Sequence, residues 1–173
     1  MTVAERCSSR FRFIADSFWA GAYDRFVAKE GLSAIPSFSL KDVNGNERYL
    51  EEFLAKPTLL VFTSPHCGPC KSIYPVLREL DEDSEVGSMN LVLVSRGATR
   101  SNRALVEKYG LERITVLGGR QHVEKQLNVT ATPWVMLIGP EARVFYSGVA
   151  HQTSLITLSH TARNRLMNAG GSR

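Results

Sequence analysis

Cysteine is scarce in this sequence: among 173 residues there are only Cys7, Cys67 and Cys70. An odd, low number excludes the disulfide framework that holds small secreted domains together. A chain of this length also buries a core without such staples. Long apolar runs are missing as well. The stretch from Phe11 to Val27 is interrupted by Arg12, Asp16, Asp24 and Arg25, and it falls short of the ~18 apolar residues a membrane span requires. It has neither the apolar centre nor the small-residue cleavage site of a signal peptide. Charge of one sign is not concentrated: the net charge is +4 and no basic run reaches five residues, which argues against a nucleic-acid partner. A second C-x-x-C pair and a close histidine pair are both lacking, so the usual four-ligand zinc site is left incomplete, which disfavours zinc. There is no internal repeat and no low-complexity segment.

What is present reads as an ordinary soluble domain, 43% hydrophobic and 22% charged. Residues 1–34 read as a helical appendage: Phe11, Ile14, Phe18, Ala22 and Phe26 recur at helical spacing. Such a helix packs on its own domain or meets a membrane-associated partner. Cys7 lies there as a lone thiol near a terminus. A break over Gly31 to Pro36 opens a second unit, residues 35–173. Asn44-Gly45 between short apolar runs predicts a hairpin, and Glu51 to Ala55 a helical turn. Thr58 to Thr63 reads as a strand buried on both faces. A helix follows, with Pro75 expected to kink it. Leu91 to Val94, Ile114 to Leu117, Trp134 to Ile138 and Arg143 to Tyr146 read as strands. Asn102 to Tyr109, Gln121 to Leu127 and a segment from about Thr153 read as helices. This alternation predicts an α/β fold, a mixed sheet with helices on both faces.

The chemistry gathers at Cys67-Gly68-Pro69-Cys70, where the buried strand passes into a helix. A helix N-terminus stabilises a thiolate, the nucleophile of disulfide exchange. Cys67 is therefore expected to attack and Cys70, three residues on, to resolve the mixed disulfide. Gly68 and Pro69 suit the tight start of the helix. Far along the chain, Thr132-Pro133 precedes a strand, a position where proline marks a special backbone feature such as a cis bond. No cofactor is required by this chemistry.

With these two motifs the sequence resembles the thioredoxin superfamily over roughly residues 36–168, and within it the TlpA-like and MauD-like redoxin branch. Pro36-Ser37-Phe38-Ser39-Leu40, Asn44-Gly45 and the run from Thr58 to Cys70 carry that resemblance. It implies a thioredoxin-like fold and a thiol–disulfide oxidoreductase. Its partners would be protein thiols or disulfides and a further redox protein. It also implies a substrate groove formed by His66, Gly68, Pro69, Thr132 and Pro133. A thioredoxin-like interaction or maturation module whose cysteines seldom turn over would carry the same marks.

Three departures stand out. His66 occupies the place of the usual tryptophan, Val61 that of a buried aspartate, and Ile73 that of the branch's occasional glutamate. The customary proton acceptor for Cys70 is thus replaced. His66 is one substitute, although a rim histidine is the plainer reading. A thiol peroxidase is disfavoured, because Ser64 and Leu60 stand where the peroxidase pattern has threonine and proline. Arg96, Arg100 and Arg103 follow a strand end, where ligand sites gather in such sheets. They read either as a solvated helix face or as a positive rim that selects acidic partners. The sequence suits a cytoplasmic protein and equally the soluble part of a membrane-linked extracytoplasmic redox system.

Overall fold

The Thr58–Thr63 segment is buried at every position, as its apolar run predicts, because both of its faces are covered. Leu59 and Val61 enter one apolar cluster, Leu60 and Phe62 the other. Each such side chain taken from water contributes about 1.5–3 kcal/mol, so this strand is the axis of the core. The computed structural model describes residues 32–83 and 89–162. The expected helix over Phe11 to Phe26, and Cys7, lie outside them.

The strands are β1 (Leu32–Ala34), β2 (Ser39–Lys41), β3 (Glu47–Tyr49), β4 (Thr58–Thr63), β5 (Asn90–Ser95), β6 (Thr115–Gly118), β7 (Trp134–Ile138) and β8 (Arg143–Val149). The helices are α1 (Tyr74–Glu82), α2 (Thr99–Tyr109), α3 (Gln121–Gln126) and α4 (Gln152–Thr161). Six strands form one sheet in the order β1-β8-β7-β4-β5-β6. β4, β5 and β6 are parallel, and β7 and β8 run against them. β2 and β3 pair separately as the Asn44-Gly45 hairpin, with Gly45 at φ 91°, a conformation that favours glycine.

Side chains of α1, α2 and α4 fill the cluster on one face of the sheet. Val123 of α3, Phe38, Leu40, Leu50 and Phe53 fill the other. The mixed α/β fold with helices on both faces is therefore present. β1 pairs with β8, Leu32 opposite Val144 and Ala34 opposite Arg143, so the sheet takes up three residues that the sequence pattern groups with the appendage.

One expectation needs correction. Pro75 does not kink a continuous helix. The segment is split into a 3-10 turn over Pro69–Ser72 and α1 from Tyr74, and Pro75 sits in the first turn of α1. The N–H that proline lacks has no intrahelical acceptor in a first turn, so the residue fits without distortion.

Candidate active site

β4 ends at Thr63, and the chain turns at once. The Cys67 amide donates to the Ser64 carbonyl at 3.0 Å, closing a four-residue turn with Pro65 at the position that favours proline. The His66 amide leans on Ser64 Oγ at 3.3 Å. This turn delivers Cys67 to the start of the Pro69–Ser72 turn, with Gly68 as its N-cap and Pro69 first inside it.

Cys67 and Cys70 are joined as a disulfide, with Cα atoms 5.3 Å apart. The Cys70 amide points at Cys67 Sγ from 3.2 Å, a donor placed for the charge that sulfur carries once reduced. The two sulfurs differ in access. Cys67 is half-buried, whereas Cys70 is wholly buried in the apolar cluster that also holds Val61 and Ile73. Where related proteins carry a carboxylate, these two residues present hydrocarbon only.

The Thr132–Pro133 bond is cis. The Thr132 carbonyl oxygen lies 3.5 Å from Cys67 Sγ, close enough to accept from the thiol in the reduced state. Pro133 is buried and half-buried Thr132 faces the disulfide; the Pro133 carbonyl is tied to the Ala150 amide at 2.9 Å. The structure therefore brings together Cys67, Cys70, Gly68, Pro69, Thr132 and Pro133. His66 is exposed, whereas Cys70 is wholly buried. Gly68 is not demanded by the backbone. Its φ is −57°, and a Cβ there would meet nothing within 4 Å; the missing side chain leaves open space beside the cysteines.

Two features escape the sequence pattern. Tyr74, buried at 2% exposure, donates from its hydroxyl to the Ser64 carbonyl at 3.3 Å, the same oxygen that closes the Cys67 turn. Burial raises its phenol above the ordinary value, with the Thr63 hydroxyl beside it opposing and Tyr109 adding to the rise, so it stays a donor at neutral pH. The second is Gly97, where a Cβ would lie 2.8 Å from the Pro65 ring and 2.9 Å from Asn102 Oδ1. Asn102, itself buried, donates to the Ser95 and Gly97 carbonyls at 3.1 and 3.4 Å. The loop after β5 is thereby wedged behind the Pro65 turn. The sequence pattern singles out neither Tyr74 nor Asn102, because their polar partners are set by tertiary contact.

Of the three arginines noted above, Arg96 is committed to the buried carboxylate of Glu124, and Arg103 Nε donates to the Val43 carbonyl at 2.8 Å.

Comparison with known proteins agrees with this geometry. The model of the AhpC/TSA family matches residues 32–147. The methylamine utilization protein MauD of Paracoccus versutus is 24% identical over 142 residues, covering 80% of this chain and 70% of that protein. The thiol-disulfide oxidoreductase ResA of Geobacillus kaustophilus is 27% identical over 113 residues, 65% of each chain. Among solved structures, a putative thiol:disulfide interchange protein DsbE from Chlorobium tepidum superposes with a TM-score of 0.69 at 18% identity, covering 78% of this chain and 99% of its own. With a thioredoxin-like sheet, a cysteine pair at the start of a helix and a cis-proline loop against it, this chain belongs to the AhpC/TSA family, as a thioredoxin-like redoxin of the thiol–disulfide oxidoreductase kind.

Proposed function

We propose that this chain exchanges disulfides with protein partners through the Cys67-Gly68-Pro69-Cys70 pair, Cys67 being the attacking sulfur and Cys70 the resolving one. The observation that carries the reading is the unequal access of the two sulfurs: one half-exposed against the Thr132 carbonyl, the other wholly buried. A partner's sulfur reaches Cys67 first. Cys70 then attacks only a partner already joined to Cys67, releasing it with two electrons transferred and the disulfide re-formed. The edge of the loop at Thr132 and Pro133 gives an extended partner segment a place to lie, as sheet edges do for bound peptides. His66, Gly68 and Pro69 form the opposite rim in this reading.

A peroxidase role has less support. Thr63, the hydroxyl nearest in sequence to the peroxidase pattern, is fully buried beside Tyr74, where it is withdrawn from an incoming peroxide.

The test is a trapping experiment. Cys67→Ser abolishes exchange. Cys70→Ser still attacks and accumulates as a mixed disulfide, visible on a non-reducing gel and mapped to Cys67 by mass spectrometry. Normal turnover by Cys70→Ser, or an adduct on Cys7, overturns the assignment of roles.

A further inference from the structure

The loops at the cysteine end of the sheet contain no exposed carboxylate. This end is defined by register: Thr63 of β4 lies level with Ser95 of β5, Ser95 with Gly118 of β6, Phe62 with Trp134 of β7, and Trp134 with Val149 of β8. The segments that leave or reach this level are residues 63–75, 95–103, 118–122, 128–134 and 147–154. Together they hold Lys71, Arg96, Arg100, Arg103 and Arg120, with His66, His122 and His151, and not one aspartate or glutamate. Among the described residues the one carboxylate that reaches into them, Glu124, is buried and paired with Arg96. Four cationic side chains, Lys71, Arg100, Arg103 and Arg120, are exposed and form no ion pair among the described residues.

The carboxylates lie elsewhere. Glu51, Glu52, Asp81, Glu82, Glu112 and Glu141 cluster at the far ends of the strands and helices. Asp42 bridges to Leu117 at the sheet edge, outside these segments; its Oδ1 accepts from the Asn44 and Asn46 backbone amides at 2.8 and 3.0 Å and its Oδ2 from the Asn46 side chain at 3.2 Å, which turns the carboxylate into its own hairpin without removing its charge. Glu47 of the same hairpin accepts from Ser39 Oγ at 2.6 Å. In addition α1, α2 and α4 all begin at the cysteine end, so the positive ends of their dipoles add to the field. Among the described residues charge is thus not spread evenly: the face around the disulfide is positive, whereas at the opposite end carboxylates and cations are mixed, Glu52, Glu82 and Asp81 being paired with Arg48, Arg78 and Arg113.

We propose that this face selects partners whose reactive cysteines are flanked by acidic residues. The inference rests on the exchange reaction proposed above and adds the chemical class of its partner. Uncompensated charge around a reactive group raises encounter rates with oppositely charged partners and suppresses like-charged ones.

The experiment is a single turnover. The fully reduced chain is mixed with one of three oxidants: a neutral small disulfide, a peptide disulfide flanked by aspartate and glutamate, and the same peptide flanked by lysine. In each case two electrons and two protons pass from Cys67 and Cys70 to the oxidant. At low ionic strength the acidic peptide is expected to react about tenfold faster than the basic one, and the ratio to fall towards one as salt screens the field. Arg100→Glu with Arg120→Glu should collapse the ratio, whereas Arg143→Glu at the opposite end should leave it unchanged. Equal rates for the two peptides at low salt, with the neutral disulfide still reduced, overturn this inference alone. No reaction with any disulfide overturns the exchange reading itself. Competition by a single-stranded oligonucleotide at lower concentration than the acidic peptide would assign the face to nucleic acid and overturn the proposal.

Discussion

At the scale of single residues, the site is defined as much by what surrounds the sulfurs as by the sulfurs themselves. Cys70 lies wholly buried within the apolar cluster. Cys67 sits beside an inward-pointing amide and a carbonyl. The residue that fixes this arrangement is Tyr74. Its hydroxyl shares the Ser64 carbonyl with the Cys67 amide, so it pins the turn to α1. Tyr74→Phe removes that bond and keeps the ring in the core. The turn then loosens, and the Cys70 amide holds the Cys67 thiolate less closely. The expected outcome is a Cys67 alkylation profile displaced to higher pH, with reactivity at neutral pH reduced by less than tenfold, since a neutral hydrogen bond contributes ~1 kcal/mol. A profile that stays in place while only the melting temperature falls would make Tyr74 a packing residue and nothing more.

At the scale of elements, the legible parts of the sequence were those governed by local chemistry. A strand buried on both faces must be apolar throughout, and β4 is. Asn44-Gly45 encodes its hairpin, displaced by one residue in the strands it joins. Gly110 stops α2 in the left-handed region at φ 65°, as a C-terminal glycine should. The split before α1 was not legible, because a proline in a first turn and a proline in a helix interior look alike until the start of the helix is known. Nor was the Arg96–Glu124 pair, which joins residues 28 apart. The wedge at Gly97 belongs to the same class. A methyl group there meets a proline ring and an amide oxygen, neither of which swings aside as a flexible chain would. Gly97→Ala is therefore expected to cost about 1–3 kcal/mol, the usual range for overpacking. Because the displaced ring is Pro65, it should also slow Cys67 alkylation, measured beside thermal melting. A stable Gly97→Ala protein with wild-type reactivity would show that the loop and the turn are mechanically independent.

At the scale of the whole molecule, the sheet separates its two ends by task. Chemistry sits where the parallel strands finish, the rule for open α/β sheets, and the β7–β8 turn and β1 lie at the other end. β1 meets β8 at Val144 and Arg143, and the Ile35 amide adds a bond to the Ala142 carbonyl at 3.1 Å. Its role is to cover the edge that β8 would otherwise expose, and uncovered edges invite pairing between chains. This leads to a sharper boundary than the one drawn from the sequence. Removing residues 1–31 retains every strand pairing of the described residues, so the shortened protein should unfold cooperatively and keep its rate with a neutral disulfide. Removing residues 1–34 strips β1 from the sheet. The melting temperature should then fall and aggregation rise, while Cys67 alkylates at its former rate, because the loss occurs at the end away from the cysteines. Light scattering and thermal melts of the two truncations, read beside alkylation kinetics, separate these outcomes. If the protein lacking residues 1–31 fails to fold, those residues belong to the catalytic fold and the appendage reading is wrong. If both truncations behave alike, β1 protects no edge.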